Sequence, residues 1–481
     1  MPSACHTCRR RRVKCDFRAP KCDRCEKSGV ECLGYGKLIT WVQGVASRGK
    51  MMGKSFESSS TPPVSRSTEM RIHVQRALMD PFLQDLSSEA RHYLNHFYSR
   101  VWEDLVIYHL PMQTWNPCSE LYWRSQTCPA MFHVIMAMAA YHRYNLITSK
   151  ERAQSILVDA LQWKQGALVR FQTMLSRVQP TTCVQVLVCS MLLANFDLLE
   201  SGRDTWQLHL DSAVRLISLM GPSIRSLAGR PENGGNLFDQ WVISSILIQS
   251  IFGSTFSPSV GHHHLSTLND PTVRVLDSLV FAEGNHFLSC PAELASCIVL
   301  AFQTQEDSQT PSRDACQELY ESVQQFDPAA WATAMQCWTP VNDYPERLHI
   351  GSAYKTAVVL YLSRMLPNFS PGGCTPERQT GLVQAVIGHI SQVPPSSALF
   401  KSTIWSSFVA GAEATDPHHR EWVAAHLDAI SAQIPWNTTV TATEALREVW
   451  RRVDLPLAEP RSAPRNWIQE FRRLKVAVFP A

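Results

Sequence analysis

From about residue 76 onward, apolar positions recur every three or four residues, the spacing of helices with one buried face. Over 204–220, Trp206, Leu210, Ala213, Ile217 and Met220 follow at steps of 4, 3, 4 and 3. Asp204 is placed to cap that helix and Gly221-Pro222 to stop it. Another helix is predicted to open at Asp416-Pro417, with proline at its first position and Trp422, Val423, Leu427 and Ile430 on the buried side. The segments near 88–108, 129–147, 151–178, 182–199, 350–366 and 377–393 share the period. Alternating strand patterns are nearly absent, so 76–481 is expected to be a large all-α domain. The longest apolar stretch, 183–196, contains Gln185 and Ser190 and is too short to span a bilayer, which makes it a core helix. Leu83, Leu86, Ala90, Tyr93 and Phe97 come nearest to a dimerising heptad, but the pattern breaks at Arg100 and predicts a docked amphipathic helix.

Upstream of residue 76 the period disappears. Residues 37–75 are basic and glycine-punctuated at first, then rich in Ser, Thr and Pro, a composition that reads as a linker. Its Gly53-Lys54-Ser55 is not a phosphate-binding loop, because Arg48 holds the first glycine's place and no apolar strand precedes it. Charge divides along the same line. Residues 1–54 hold 13 Lys/Arg and 4 Asp/Glu, net +9, and the remainder 32 and 38, net −6. Only the N-terminal end is suited to a polyanion.

That end carries six of the chain's 15 cysteines, Cys5, Cys8, Cys15, Cys22, Cys25 and Cys32, spaced C-x2-C-x6-C-x6-C-x2-C-x6-C. The second three repeat the first with an offset of 17 residues. Two cysteines separated by two residues can present both sulfurs to one tetrahedral metal at about 2.3 Å. Each half offers three thiolates, one fewer than zinc takes, so two zinc ions fit if Cys5 and Cys22 each bridge both. Six thiolates and two Zn2+ leave a charge of −2, which the surrounding cations offset. A disulfide framework would need an oxidising compartment, yet basic residues stand where a signal peptide's apolar core would be. A cross-brace protein-interaction module needs eight Cys/His ligands, and His6 is the only spare candidate.

Residues 4–32, ACHTCRRRRVKCDFRAPKCDRCEKSGVEC, resemble the fungal binuclear zinc-cluster DNA-binding domain, matching its six cysteines together with Lys14, Asp16, Pro20 and Gly29. The resemblance implies a module over 1–36 in which two short helices flank a zinc pair and the first enters the major groove. The halves differ in charge. Between Cys8 and Cys15 lie Arg9, Arg10, Arg11, Arg12, Val13 and Lys14, while the equivalent stretch after Cys25 contains Glu26 and Glu31. Only the first half can approach DNA favourably. On a short helix opening at Cys8, Arg11 and Arg12 would share a face away from the metal. The resemblance assigns these two the base contacts, commonly to a CGG-type triplet, and an arginine fork suits guanine O6 and N7. Arg9, Arg10, Lys14, Arg18 and Lys21 are read as phosphate contacts. The basic run can serve nuclear import as well.

The stretches HYLNHFYSRVW, AYKTAVVLYLSRMLP and SSFVAGAEATDPHHREWV resemble the fungal-specific transcription factor domain often found behind this cluster. The nine remaining cysteines, at 118, 128, 183, 189, 290, 297, 316, 337 and 374, show no CxxC pairing and are expected to be buried thiols. His262, His263 and His264 are read as a solvated loop, because consecutive side chains diverge, and His418 and His419 likewise. No nucleophile elbow, HExxH or glycine-rich phosphate loop occurs from residue 76 on, so an enzyme is not expected. The whole reads as a nuclear, sequence-specific transcription factor of RNA polymerase II type, with two Zn2+ per chain, double-stranded DNA and co-regulators as partners, and no membrane. The resemblance points to a fungal pathway, with secondary metabolism as one candidate. If the chain dimerises, the contact is expected to come from the helical domain or to form only on DNA. The alternative is a zinc-dependent protein-interaction regulator without DNA affinity, against which four adjacent arginines argue.

Overall fold

The computed structural model describes residues 4–35 except 19 and 34, and from residue 81 all but 109–115, 148, 180–181, 204, 221–236, 257–278, 280–281, 308–311, 338, 340, 367, 371–374, 455–465, 474–477 and 480–481. The linker at 37–75, Asp204, Gly221-Pro222, the histidines at 262–264 and Cys374 lie outside the described residues. Contacts divide the chain into two units, Met1–Met79 and Asp80–Ala481. The first holds helices α1 (His6–Arg10) and α2 (Asp23–Lys27).

The second unit is helical, and among the described residues it has no strand beyond the isolated bridges Val106 to His286 and Arg203 to Val478. Its helices are α3 (Pro81–Gln84), α4 (Ser88–His96), α5 (Trp102–Leu105), α6 (Pro117–Thr127), α7 (Pro129–Leu146), α8 (Lys150–Leu175), α9 (Cys183–Glu200) and α10 (Thr205–Met220). There follow α11 (Leu237–Ser254), α12 (Ala292–Asp307), α13 (Arg313–Gln325), α14 (Pro328–Met335), α15 (Tyr344–Met365), α16 (Pro376–Ile390), α17 (Ile404–Glu413), α18 (Pro417–Gln433), α19 (Asn437–Asp454) and α20 (Trp467–Arg473).

Several starts share one local device. Asn116, Asp327, Thr375 and Asp416 each precede a proline that opens a helix, and each side chain accepts a bond from a first-turn amide. Proline's fixed φ suits that position, and the cap satisfies a donor the helix cannot. Helices α9 and α11 form the centre and are buried on nearly every side. Helix α9 is long and apolar enough to cross a membrane by composition, but 89% of it is buried inside this unit. Around α11, Phe252 meets Trp405 edge-on at 4.9 Å, and Tyr354 stacks on Trp405 at 5.8 Å.

Structure and pattern part company in four places. The 83–97 stripe is two helices, broken at 85–87, with Ser87 capping α4 through the amide of Ala90 at 3.1 Å. At Arg100, where the heptad breaks, the helix continues as the 88–108 period implies, but through a π-turn over Phe97–Val101 that the period did not show and that leads into α5. Trp422 is only half-buried and lies flat on His426, with ring centres 4.9 Å apart, so His426 takes part of the core position. Seven of the nine outlying cysteines are buried, but Cys337 is exposed, its thiol turned back to the carbonyl of Ala334 where α14 ends.

Candidate metal centre and nucleic-acid interface

Helix α1 begins at His6, two residues before the cysteine from which the sequence pattern started it. The reason is Cys5, whose sulfur accepts the amide of Cys8 at 3.3 Å and caps the helix. Cys22 does the same for α2 through the amide of Cys25 at 3.4 Å. The sulfurs of each half are thus fixed by a cap as well as by spacing.

The same two cysteines belong to both four-sulfur groups of the module. Cys5, Cys8, Cys15 and Cys22 form one, and Cys5, Cys22, Cys25 and Cys32 the other, with all sulfurs of a group within 4.8 Å. Sulfur separations are 3.5 Å for Cys5 to Cys22, 3.6 Å for Cys8 to Cys22, 3.8 Å for Cys5 to Cys25 and 4.0 Å for Cys22 to Cys32. Zinc–sulfur bonds of about 2.3 Å give tetrahedral edges of about 3.8 Å, so the donor set fits zinc. Burial pushes the thiols of Cys5, Cys8, Cys22 and Cys25 above their ordinary value, which opposes ionisation until a cation is present. At Cys15 burial acts the same way but is outweighed by the amides of Cys5 and Phe17 and by the Tyr35 hydroxyl, leaving the thiol at about 6. A bound Zn2+ supplies the positive charge that makes all six thiolates tenable.

Three side chains that the cysteine spacing did not single out hold the module closed. The Thr7 hydroxyl donates to the carbonyl of Glu31 at 2.8 Å and accepts the amide of Leu33 at 2.9 Å, joining the first helix to the last turn. Asp16 accepts the amides of Asp23 and Arg24 at 3.0 and 3.1 Å, joining the first half to the start of α2. Tyr35 donates to the carbonyl of Arg18 at 2.9 Å and lies 3.7 Å from the Cys15 sulfur. Asp16 was already among the residues that carry the family resemblance, though without a role, and nothing in the pattern marked Thr7 or Tyr35.

The cations stand on the surface that remains. Arg9, Arg10, Arg11, Arg12, Lys14, Arg18 and Lys21 are all exposed. Arg11 and Arg12 do not share a helix side, because α1 closes at Arg10, Arg11 is its C-cap and Arg12 turns to φ +54°. The amide of Arg12 donates to the carbonyl of Arg9 and that of Val13 to Cys8, a left-handed cap that returns the chain toward Cys15. The two arginines therefore project from the helix end. Arg18 is engaged within the protein, its guanidinium 2.7 Å from Asp23. Among the described residues, no carboxylate pairs with Arg9, Arg10, Arg11, Arg12, Lys14 or Lys21.

Comparison with known proteins agrees with this division. A family described as the fungal Zn(2)-Cys(6) binuclear cluster domain matches residues 3–41, and the fungal specific transcription factor domain matches 92–479. Acriflavine sensitivity control protein acr-2 of Neurospora crassa is 25% identical, covering 98% of this chain and 95% of its own length. The phomenoic acid biosynthesis cluster-specific transcriptional regulator of Leptosphaeria maculans is 23% identical, over 93% of this chain and 85% of its own. Arginine metabolism regulation protein II of Saccharomyces cerevisiae is 54% identical over 39 residues, 8% of this chain. No solved structure matches.

Proposed function

The chain belongs to the family of fungal zinc-cluster transcription factors, and from that premise we propose that its N-terminal module reads a CGG-type triplet in the major groove of DNA on behalf of a biosynthetic gene cluster. The observation that carries this is the asymmetry between two equivalent halves. The first ends its helix in Arg9, Arg10, Arg11 and Arg12, exposed and without carboxylate partners among the described residues, where the second has Glu26, Lys27, Ser28 and Gly29. One face of the module is thus strongly attractive to phosphate and the other is not.

In this reading Cys5 and Cys22 bridge two zinc ions whose remaining ligands are Cys8, Cys15, Cys25 and Cys32. Zinc held by these sulfurs would fix the two halves together, and base contact is left to the arginines. Arg11 and Arg12 reach guanine edges from the end of α1. Arg9, Arg10, Lys14 and Lys21 bind phosphates, and Arg18 joins them after exchanging Asp23 for a phosphate oxygen. The protein acts in the nucleus, with a second copy and co-regulators as partners. Secondary metabolism is our reading of the pathway, supported by the Leptosphaeria relative, whose name makes it the specific regulator of a phomenoic acid biosynthesis cluster.

The test is fluorescence anisotropy of the zinc-loaded full chain on a CGG-containing duplex and on a scrambled one, across a salt series. Arg12→Ala should cost about 1–3 kcal/mol on the CGG duplex and little on the scrambled one. Arg10→Ala should weaken both alike and flatten the salt slope by roughly 0.9. Equal loss on both duplexes from Arg12→Ala would remove it from base reading, and no affinity for either would leave a protein-interaction regulator.

A further inference from the structure

The exposed apolar side chains of the helical unit include one set with a regular order. On α8, Val158, Leu161, Leu168 and Leu175 are 43%, 44%, 39% and 46% exposed, and Gln165 and Gln172 are exposed with them. These six follow at steps of 3, 4, 3, 4 and 3. The adjoining side of the helix, about a quarter-turn round, is already occupied, since Ala160, Ala167 and Phe171 are buried and Trp163 meets Phe132 and His133 of α7 edge-on. The seam is therefore additional to the one α8 needs for folding. In heptad terms Val158, Gln165 and Gln172 are a positions, and Leu161, Leu168 and Leu175 are d positions. Leucine at d with a β-branched residue at a, as at Val158 and Leu161, favours two parallel strands, and polar residues at a, as at Gln165 and Gln172, specify register at a cost in stability.

We propose that this seam is a homodimer interface, in which α8 lies parallel to and in register with α8 of a second copy. The glutamines choose an identical partner. In parallel register Gln165 faces Gln165 and Gln172 faces Gln172, where each amide can both donate and accept. Antiparallel pairing, or an unrelated apolar helix, sets those amides against leucine and strands them. Charge makes the same choice. Gln162 and Val169, at the flanking e positions, are exposed and neutral. Lys164 is held by Asp197 and Glu200 at 2.9 and 2.6 Å, and the exposed Arg170 falls at f, outside the contact. A charged partner finds nothing to pair with, whereas the same face presented by a second copy meets it without repulsion. Eighteen residues span about 27 Å, so the contact is modest by itself and gains when one DNA holds both chains close. This gives the second copy named in the proposed function its interface, rests on that reading there alone, and does not depend on the DNA contacts.

Sedimentation equilibrium of the zinc-loaded full chain tests the seam, with helix content followed by circular dichroism. The wild type should rise from one chain toward two with concentration. Leu168→Glu should move that midpoint at least about tenfold higher, by placing two charges in one apolar layer. Gln165→Leu should move it about tenfold lower, and Thr173→Glu, at an exposed position outside the seam, should leave it in place. A wild type that stays monomeric throughout overturns the proposal, as does a Leu168→Glu chain of unchanged helix content and unchanged midpoint. Should Leu168→Glu lose its helices, Gln165→Leu decides, and no tightening there overturns the proposal. Single-site DNA binding should be the same for every variant, which separates this result from the fate of the DNA-reading function.

Discussion

Arg12 and Gly29 occupy the same place in the two halves of the zinc module. They stand 17 residues apart, with φ +54° and +64°, and each forms the left-handed turn that closes a helix. Arg12 donates to Arg9 and Val13 to Cys8, just as Gly29 donates to Glu26 and Val30 to Cys25. One half uses the residue that adopts this turn without strain, the other a large cation. A side chain tolerated there at a conformational penalty is a reasonable place to look for function.

Replacing Arg12 by Gly should therefore separate folding from reading. Relief of the left-handed strain should stabilise the module by about 1 kcal/mol, seen as later zinc release under chelator, while preference for the CGG duplex falls. The converse, Gly29→Ala, meets nothing within 4 Å of the added carbon, so only backbone strain of about 1 kcal/mol opposes it. An Arg12→Gly protein that kept its full sequence preference would show that the strain serves some other purpose.

Because Cys5 and Cys22 belong to both sulfur groups, their loss should be unlike that of the others. Cys5→Ser or Cys22→Ser should release both zinc ions and unfold the module, whereas Cys32→Ser should leave one zinc more tightly held than the other. Metal analysis after gel filtration reads this directly. Retention of two zinc ions by Cys22→Ser would mean that the cluster is not bridged as proposed.

The cysteine rhythm was legible because ligand spacing is a local property, and the sulfurs meet where it implied. Asp416-Pro417 was legible for the same reason, since a cap and a proline announce a start wherever they stand. Asn116-Pro117 and Asp327-Pro328 carry the same signature, but the short helices they open have little apolar stripe to confirm it. Helix α11 hid in another way: Leu237–Ser254 is buried all round, so a periodicity that detects one wet face has nothing to find. The cap at Arg12 was missed, because the basic run reads as a continuing helix, although the 17-residue repeat sets Arg12 beside Gly29. Thr7 and Tyr35 act through hydrogen bonds to backbone 24 and 17 residues away, which no local pattern records.

In the helical unit, Arg347 is fully buried and answers four groups. It pairs with Asp343 at 2.8 Å and donates to Ser289 and to the carbonyls of Glu283 and Gly284 at 2.9, 3.2 and 3.0 Å. Arg347→Leu should cost about 3–5 kcal/mol in chemical denaturation, because it leaves Asp343 charged and those carbonyls bare. Arg347→Lys keeps the charge but lacks the fork, and should fall between. A cost under about 1 kcal/mol for the leucine variant would mean that water replaces the guanidinium.

Acid should weaken the helical unit early, and His426 is where this can be isolated. Burial holds its imidazole down at about 4, with Trp422 stacked on one face and the Thr403 hydroxyl 2.8 Å from Nε2. Burial likewise lowers His286 and His96, each to about 3. In the unfolded chain these rings ionise near 6.5, so between that pH and the folded value the unfolded state binds the proton and the folded state does not. Their neutral burial is thus without penalty above about 6.5 and destabilises progressively as pH falls, by up to about 1.4 kcal/mol per pH unit for each ring. His426→Gln removes one ring from that set. It should be less stable than wild type at pH 7.5, where it loses the stacking, and should close the gap as the pH falls through 6 and 5. Denaturation of both proteins at the three pH values gives the difference directly, and zinc release in acid cancels because it is common to both. A gap that stays constant with pH would show that His426 takes up its proton as readily in the folded chain as in the unfolded one.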